Sequence, residues 1–256
     1  MPQNKTTEQK KPFVLITGAS GGIGQALVEV FTQANYRVIA IDINKAPNNL
    51  QCHYFIQADL QRIAKDDLYA QQILSKITAY LGDKGLKGLI NNAAIQILGE
   101  FDTLSRKNWY ETLETNLLAP VFLTQALLKH LEIAQGCVLN ISSIHANLTK
   151  PHFTAYATSK AALSGLTRAM AVELGNKIRI NALEPAAIDT PMLRAGFEHN
   201  TEGFEQLKHF HPSKSIGTPK ELGKLARLII EYESLFLNGA IIPFDGGIGT
   251  CLYDPN

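Results

Sequence analysis

The chain has 256 residues, 45% of them apolar and 18% charged; this excludes a disordered or coiled-coil polypeptide and is enough for one large core. Lysine and arginine number 24 against 23 aspartates and glutamates, a formal charge of +1. Neither a basic excess for nucleic acid nor an acidic solvating tract is present.

Residues 1–11 are polar and lysine-rich, without the apolar run of a signal peptide, and are read as a flexible tail. Residues 12–256 are read as a single domain. No run approaches the roughly 18 apolar residues of a spanning helix. Cys52, Cys137 and Cys251 are far apart and form no Cys-x-x-Cys pair, so neither a zinc cage nor a redox motif is expected. The expected setting is a reducing cytosol, with no membrane and no nucleic-acid partner.

Short apolar runs at 13–17, 37–41, 53–57, 88–91, 138–142, 178–183 and 240–244 predict strands. Helical patterns occupy 23–34, 66–81, 106–131, 155–174 and 220–231. Such alternation predicts an α/β fold, a parallel sheet covered on both faces. The strands are continuously apolar, as in Val38-Ile39-Ala40-Ile41, which suits burial on both sides. Between the second and third strands, residues 44–52 hold Pro47 and three asparagines, so a loop-like crossover is expected there. The 191–219 stretch lacks strand character and predicts one or two short helices, the natural lid over a water-poor site.

Thr17-Gly18-Ala19-Ser20-Gly21-Gly22-Ile23-Gly24 joins the first strand to the first helix. Glycines allow a sharp turn and close approach of a pyrophosphate to free N–H groups at a helix start. The spacing is looser than G-x-G-x-x-G, and alone it does not separate a cofactor turn from a plain glycine turn. Asp42 adds context, ending the second strand 18 residues beyond Gly24, where an acid bonds ribose hydroxyls. A carboxylate there also repels a 2′-phosphate, and neither Gly21 nor Ile43 is basic. NAD is therefore expected over NADP.

Tyr156 and Lys160 are four residues apart at the start of a helical pattern and share one face. A cation beside a phenol lowers its pKa from about 10 toward working pH, which makes Tyr156 a proton donor or acceptor. A solvated helix edge presents the same spacing. Ser143 closes the run Leu139-Asn140-Ile141-Ser142-Ser143 at the carboxyl edge of the sheet, where ligands bind; it reads as a substrate-orienting hydroxyl or as an ordinary cap. Pro120, four residues after Asn116, leaves the Asn116 carbonyl without a helical donor and predicts a kink. The freed carbonyl could hold a water relaying protons to Lys160, or the kink could serve packing alone. His209 and His211, two apart, fall on different helix faces and suit no metal site, so no metal is expected.

Taken together, Thr17-Gly18-x-x-x-Gly22-Ile23-Gly24, Asn91-Asn92-Ala93-Ala94, Asn116, Ser143, Tyr156-x-x-x-Lys160 and Asp245-Gly246-Gly247 resemble the short-chain dehydrogenase/reductase family over about residues 12 to 250. The resemblance implies a three-layer, doubly wound Rossmann fold with a seven-stranded parallel sheet. It implies a catalytic tetrad in which Tyr156 transfers the proton, Ser143 holds the substrate oxygen, Lys160 tunes the phenol and binds the nicotinamide ribose, and Asn116 fixes a relay water. Gly18, Ser20, Gly22, Ile23 and Gly24 would meet the pyrophosphate, and Asp42 and Ile43 the adenosine ribose. Asp59 and Leu60 would flank adenine; Asn92, Ala93 and Ala94 would line the adenosine side. Pro185, Ala186, Ile188 and Thr190 would hold the carboxamide. Ala94 and Ala186 stand where the family usually has glycine, each adding one methyl beside the cofactor. Gln96, His145, Ala187 and Phe197 are the substrate-side candidates.

The activity this implies is NAD-dependent interconversion of a secondary alcohol and a ketone. An NADPH-dependent reductase and a non-catalytic NAD-binding protein are the alternatives. Ala157, Ala161, Gly165 and Ala169 form a stripe of small residues at four-residue spacing. Packing within the monomer explains the stripe as well as a partner does; the resemblance implies a homotetramer or homodimer pairing through long helices.

Overall fold

In the computed structural model, which describes residues 11–198 and 200–252, seven strands form one parallel sheet in the order β3-β2-β1-β4-β5-β6-β7. They are β1 (Phe13–Thr17), β2 (Arg37–Asp42), β3 (Tyr54–Gln57), β4 (Leu86–Asn91), β5 (Cys137–Ile141), β6 (Arg179–Pro185) and β7 (Ile241–Phe244). The tail read from residues 1–11 lies, apart from Lys11, outside the described residues. Because β1 is flanked by β2 and β4, the chain reverses its direction of winding there, and the carboxyl ends of β1 and β4 diverge into a crevice.

Strand side chains alternate between two cores, which is why the runs are apolar throughout. Leu15, Ile39, Leu89 and Val138 face one layer, packing with α3 (Asp67–Leu81) and α5 (Ala119–Ile133). Val14, Ile16, Val38 and Leu139 face the other, with α1 (Gly22–Gln33) and α9 (Pro219–Glu231). The result is the three-layer doubly wound Rossmann arrangement. Among the described residues, no helix is long and apolar enough to cross a membrane.

Local chemistry sets the helix ends. Thr218 and Glu221 form a capping box, with Pro219 at the first helical position of α9. At the other end of α9, the Arg179 guanidinium, 1% exposed, donates to the carbonyls of Ile229 and Ile230 at 2.9 and 3.0 Å. A buried cation thereby satisfies carbonyls left open at a helix C-terminus.

Two places depart from the expected elements. The helix expected over 106–131 is interrupted: α4 (Arg106–Leu113) leads into a π-helical segment, Glu114–Leu118, and then α5. Pro120 has no N–H for the Asn116 carbonyl, and the ladder widens so that the Ala119 N–H reaches the Glu114 carbonyl. A short α2 (Leu60–Lys65), capped by the Asp59 carboxylate accepting from the Gln61 N–H at 2.9 Å, precedes α3. At six residues it is too short to show periodicity. The 191–219 stretch contains α7 (Pro191–Ala195) and α8 (Thr201–Phe210). The 44–52 crossover is free of helix.

Candidate active site

A cleft of about 550 Å³ opens along the carboxyl edge of the sheet, lined by the ends of β1, β2, β4 and β5 and the root of α7. Its floor is the glycine turn. Gly18 has φ +66°, and a Cβ there would meet the Ala93 Cα at 2.7 Å. A Cβ on Gly24 would stand 2.0 Å from the Gly18 carbonyl oxygen, so the turn closes only around glycine. Thr17 clasps the crevice: its hydroxyl accepts from the N–H groups of Asn92 and Ala93 at 3.0 and 3.1 Å. The Asn92 amide in turn donates to the Thr17 and Gly18 carbonyls.

The N-terminus of α1 has Gly21 as its cap, and no side chain accepts from its first turn. Backbone N–H groups and the positive end of the helix dipole therefore face the cleft, a site built for an anion such as a pyrophosphate. Asp42 lies at the rim, 7% exposed. One of its oxygens accepts from the Ser20 N–H at 2.9 Å and the other from the Asn44 N–H at 2.8 Å. It thus fastens the glycine turn to the end of β2 while keeping lone pairs for hydroxyl donors. Glycine floor, open helix terminus and rim acid fit a dinucleotide.

At the far end of the cleft, α6 (Thr154–Leu174) presents Tyr156 and Lys160. The Lys160 Nζ lies 5.7 Å from the centre of the Tyr156 ring and donates to the Ile141 carbonyl at 2.7 Å. Burial pushes the ammonium down to about 7. The phenol differs from the sequence expectation: burial raises its pKa, and a hydrogen bond with Ser143 opposes the rise. In the protein alone the lysine, desolvated and turned to a strand carbonyl, does not pull the phenol down.

Ser143 caps a 3₁₀ turn, Ile144–Ala146, its hydroxyl accepting from the His145 N–H at 3.2 Å. The cap that the sequence allowed for this serine is present. Asn116, 1% exposed in the π-helical segment, accepts from the Ile95 N–H at 2.8 Å and donates to the Ile95 carbonyl at 2.9 Å. Its amide also donates to the Ser159 hydroxyl at 3.0 Å. Ser159 donates in turn to the Tyr156 carbonyl at 2.7 Å.

A model of the short chain dehydrogenase family matches residues 12–201. The chain belongs to that family. The probable galactose dehydrogenase of Rhizobium meliloti is 32% identical over 76% of this chain and 78% of its own length. The aldohexose dehydrogenase of Thermoplasma acidophilum, solved ligand-free, superposes with a TM-score of 0.87 at 26% identity, covering 98% and 99% of the two chains. A 4-hydroxyisoleucine dehydrogenase solved with NADH (TM-score 0.84, 27% identity, 94% and 100% covered) and ElxO solved with NADP (0.83, 27%, 94% and 100%) are similarly close. This short-chain dehydrogenase is accordingly a nicotinamide-dependent oxidoreductase acting on small molecules.

Of the residues singled out in its sequence, Gly18, Gly22, Ile23, Gly24, Asp42, Ile43, Asp59, Leu60, Asn92, Ala93, Ala94, Gln96, Tyr156, Lys160 and Thr190 line the cleft of this dehydrogenase. Ser20, Asn116, Ser143, Pro185, Ala186, Ala187 and Ile188 are not among the residues that line it. Thr190 also caps α7, its hydroxyl accepting from the Leu193 N–H at 3.2 Å. His145 stacks on Phe153 at 4.4 Å and meets the Tyr156 ring edge-on at 5.8 Å, a packed residue beside the site. Phe197 packs on Phe204, 5.6 Å between centroids, within the 191–219 stretch. Sequence reasoning did not single out Gln61, Ile95, Glu111, Thr115 and Met192, which also line the wall. They belong to no local motif, and only the tertiary fold brings them to the cleft.

Proposed function

We propose that this dehydrogenase uses NAD to oxidise a secondary carbinol to a carbonyl, with Tyr156 as the general base and acid. The observation that carries the reading is the convergence, in one cleft, of the glycine floor and Asp42 at one end with Tyr156 and Lys160 at the other, where Ser143 hydrogen-bonds the phenol. When bound there, a nicotinamide dinucleotide supplies the two-electron acceptor. The chain's own residues handle position and proton. Ser143 donates to the substrate oxygen, and Tyr156 takes the hydroxyl proton as the carbon–oxygen bond becomes double. Lys160, on the same helix face and bonded to the Ile141 carbonyl, supplies positive charge that favours the phenolate able to take that proton.

Asp42 supports NAD over NADP, because a 2′-phosphate would meet a carboxylate already desolvated at the rim. Gln96 and Met192 at the mouth, with His145 behind, form the substrate side, and the 191–219 segment is the lid. The sugar-oxidising relatives make cyclic aldoses, whose anomeric carbon carries hydrogen and hydroxyl, the first class to assay. The chain is a single domain that works as a homodimer or homotetramer in the cytosol.

The test is a panel of D-aldohexoses, sugar alcohols, cyclic diols and hydroxysteroids with NAD and with NADP, followed by nicotinamide absorbance. Turnover with NAD that vanishes in Tyr156→Phe, with NADH binding retained, is the expected result. Wild-type turnover in that variant sinks the role given to Tyr156. A clear preference for NADP sinks the role given to Asp42.

A further inference from the structure

Behind the Ser143 turn lies a carboxylate that takes no direct part in the proposed chemistry. Glu184, on β6, is 4% exposed and has no cationic partner among the described residues. One of its oxygens accepts from the Asn147 side-chain amide at 2.6 Å, and the other from the Ser164 hydroxyl at 2.7 Å. Burying an unpaired carboxylate is costly, and two short charge-assisted bonds offset the cost only in part. A hydrophobic residue would serve packing as well.

The two bonds lead to opposite walls of the site. Asn147 caps the C-terminal end of the 3₁₀ turn whose N-cap is Ser143. Besides this tie, the turn is held by its own backbone bonds, from Ala146 to Ser143 and from Asn147 and Leu148 to Ile144, and by the His145 ring stacked on Phe153. Ser164 sits one helical turn beyond Lys160 on α6, and its hydroxyl is 2.8 Å from the Ser142 hydroxyl. Ser142 also donates to the Lys160 carbonyl at 3.1 Å. With the Ser164 proton committed to the carboxylate, the single Ser142 proton is shared between the Ser164 hydroxyl and the Lys160 carbonyl. A single carboxylate therefore fastens the Ser143 turn on one side and the Tyr156–Lys160 helix on the other.

We propose that Glu184 is a positioning residue that fixes the Ser143 hydroxyl against the Tyr156 phenol. This rests on the acid/base reading of that pair. Glu184→Ala removes both ties. Glu184→Gln restores them: its oxygen accepts from Asn147, and its amide donates to Ser164, which then donates to Ser142. The second amide hydrogen meets water in the cavity of about 210 Å³ that Glu184 lines.

The experiment determines crystal structures of Glu184→Ala, Glu184→Gln and Asn147→Ala, with thermal melts, NADH fluorescence titrations and turnover of the best alcohol from the NAD panel. In Glu184→Ala the Ser143 hydroxyl should leave hydrogen-bond reach of the phenol and kcat should fall at least tenfold. The Kd for NADH should stay within threefold. Glu184→Gln should restore both position and rate, and Asn147→Ala should add nothing to Glu184→Ala in the double variant. Ser143 unmoved in Glu184→Ala, a Gln variant as impaired as Ala, or NADH affinity and Tm falling in step with kcat would each overturn the proposal. If the hydroxyl moves as expected while Ser143→Ala turns over like wild type, the positioning stands and the acid/base reading of Ser143 fails.

Discussion

Lys160 and Tyr156 lie one turn apart on α6, yet the lysine nitrogen is 5.7 Å from the phenol ring centre and gives its hydrogen bond to the Ile141 carbonyl. Burial holds this lysine at about 7, against an ordinary value of 10.5. Below pH 7 both the folded and unfolded chains carry the proton, and the folded state bears the full cost of the buried charge. Between pH 7 and about 10.5 the unfolded chain binds more protons, so stability rises with pH, by at most about 1.4 kcal/mol per unit. The Cys137 thiol, pushed up to about 11, acts in the opposite sense above pH 9. Urea unfolding of wild type and Lys160→Met across pH 6–10 cancels that background. The expected result is that the variant is the more stable at pH 6 and loses its advantage as pH rises; a constant difference would contradict it.

The Tyr156 phenol, raised by burial, keeps its proton at neutral pH in the protein alone. A proton acceptor must first lose that proton, and a proton donor must keep it. With NAD, kcat/KM for alcohol oxidation should climb from pH 7 toward pH 10, whereas ketone reduction with NADH should be flat and then fall. Ser143→Ala removes the hydrogen bond that opposes the rise, so its oxidation profile should shift to higher pH. Profiles that coincide for oxidation and reduction would place the titrating group elsewhere.

Asn116 satisfies both the N–H and the carbonyl of Ile95 and donates to Ser159. Asn116→Ala should cost about 2–3 kcal/mol in urea unfolding, because partners in the wall are left unsatisfied. Asn116→Asp should be no better. Its carboxylate keeps the bond from the Ile95 N–H but faces the Ile95 carbonyl and Ser159 oxygens without a donor. If aspartate behaved like asparagine, the amide's donor role would be disproved.

Both oxygens of Asp42 already accept backbone N–H groups, from Ser20 and Asn44. Asp42→Ala should therefore weaken NADH binding at least tenfold by fluorescence titration without raising NADPH affinity, since it loosens the glycine turn as it removes the repelling charge. The unsatisfied N–H groups should also lower stability by about 1–3 kcal/mol. NADPH binding tightly to this variant would show that repulsion alone set the preference.

Much of this was legible in local pattern. Strands buried on both faces have to be apolar throughout, and Gly18 and Gly24 occupy positions that a Cβ would fill. The crossover at 44–52 was readable from Pro47 and its neighbours. What stayed hidden depends on contacts distant in sequence. Pro120 announces a break in the helix, but whether the ladder kinks or widens into a π turn depends on Asn116 reaching Ile95, 21 residues away. The Tyr156–Lys160 spacing announces proximity on a helix, but the titration of each group follows from burial, which no spacing contains.

On the outer face of α6, a Cβ on Gly165 would have nothing within 4 Å, and Ala161 and Ala169 are exposed. Nearby on the same helix Val172 is 89% exposed, and Phe122 on α5 is 38% exposed. Ala161 and Ala169 of the stripe are thus left open to solvent in the single chain, while Ala157 and Gly165 are half-buried. As part of the proposed homo-oligomer, this face would meet its own copy across a two-fold axis. Gly165→Arg should then dissociate the oligomer in sedimentation velocity, leaving the Tm of the monomer within a few degrees. On a face open to solvent, Gly165→Ala should instead stabilise the helix by about 0.5–1 kcal/mol, with no change in mass. A wild-type chain that sediments as a monomer at micromolar concentration would dismiss the pairing and leave the alanine gain as the prediction that holds.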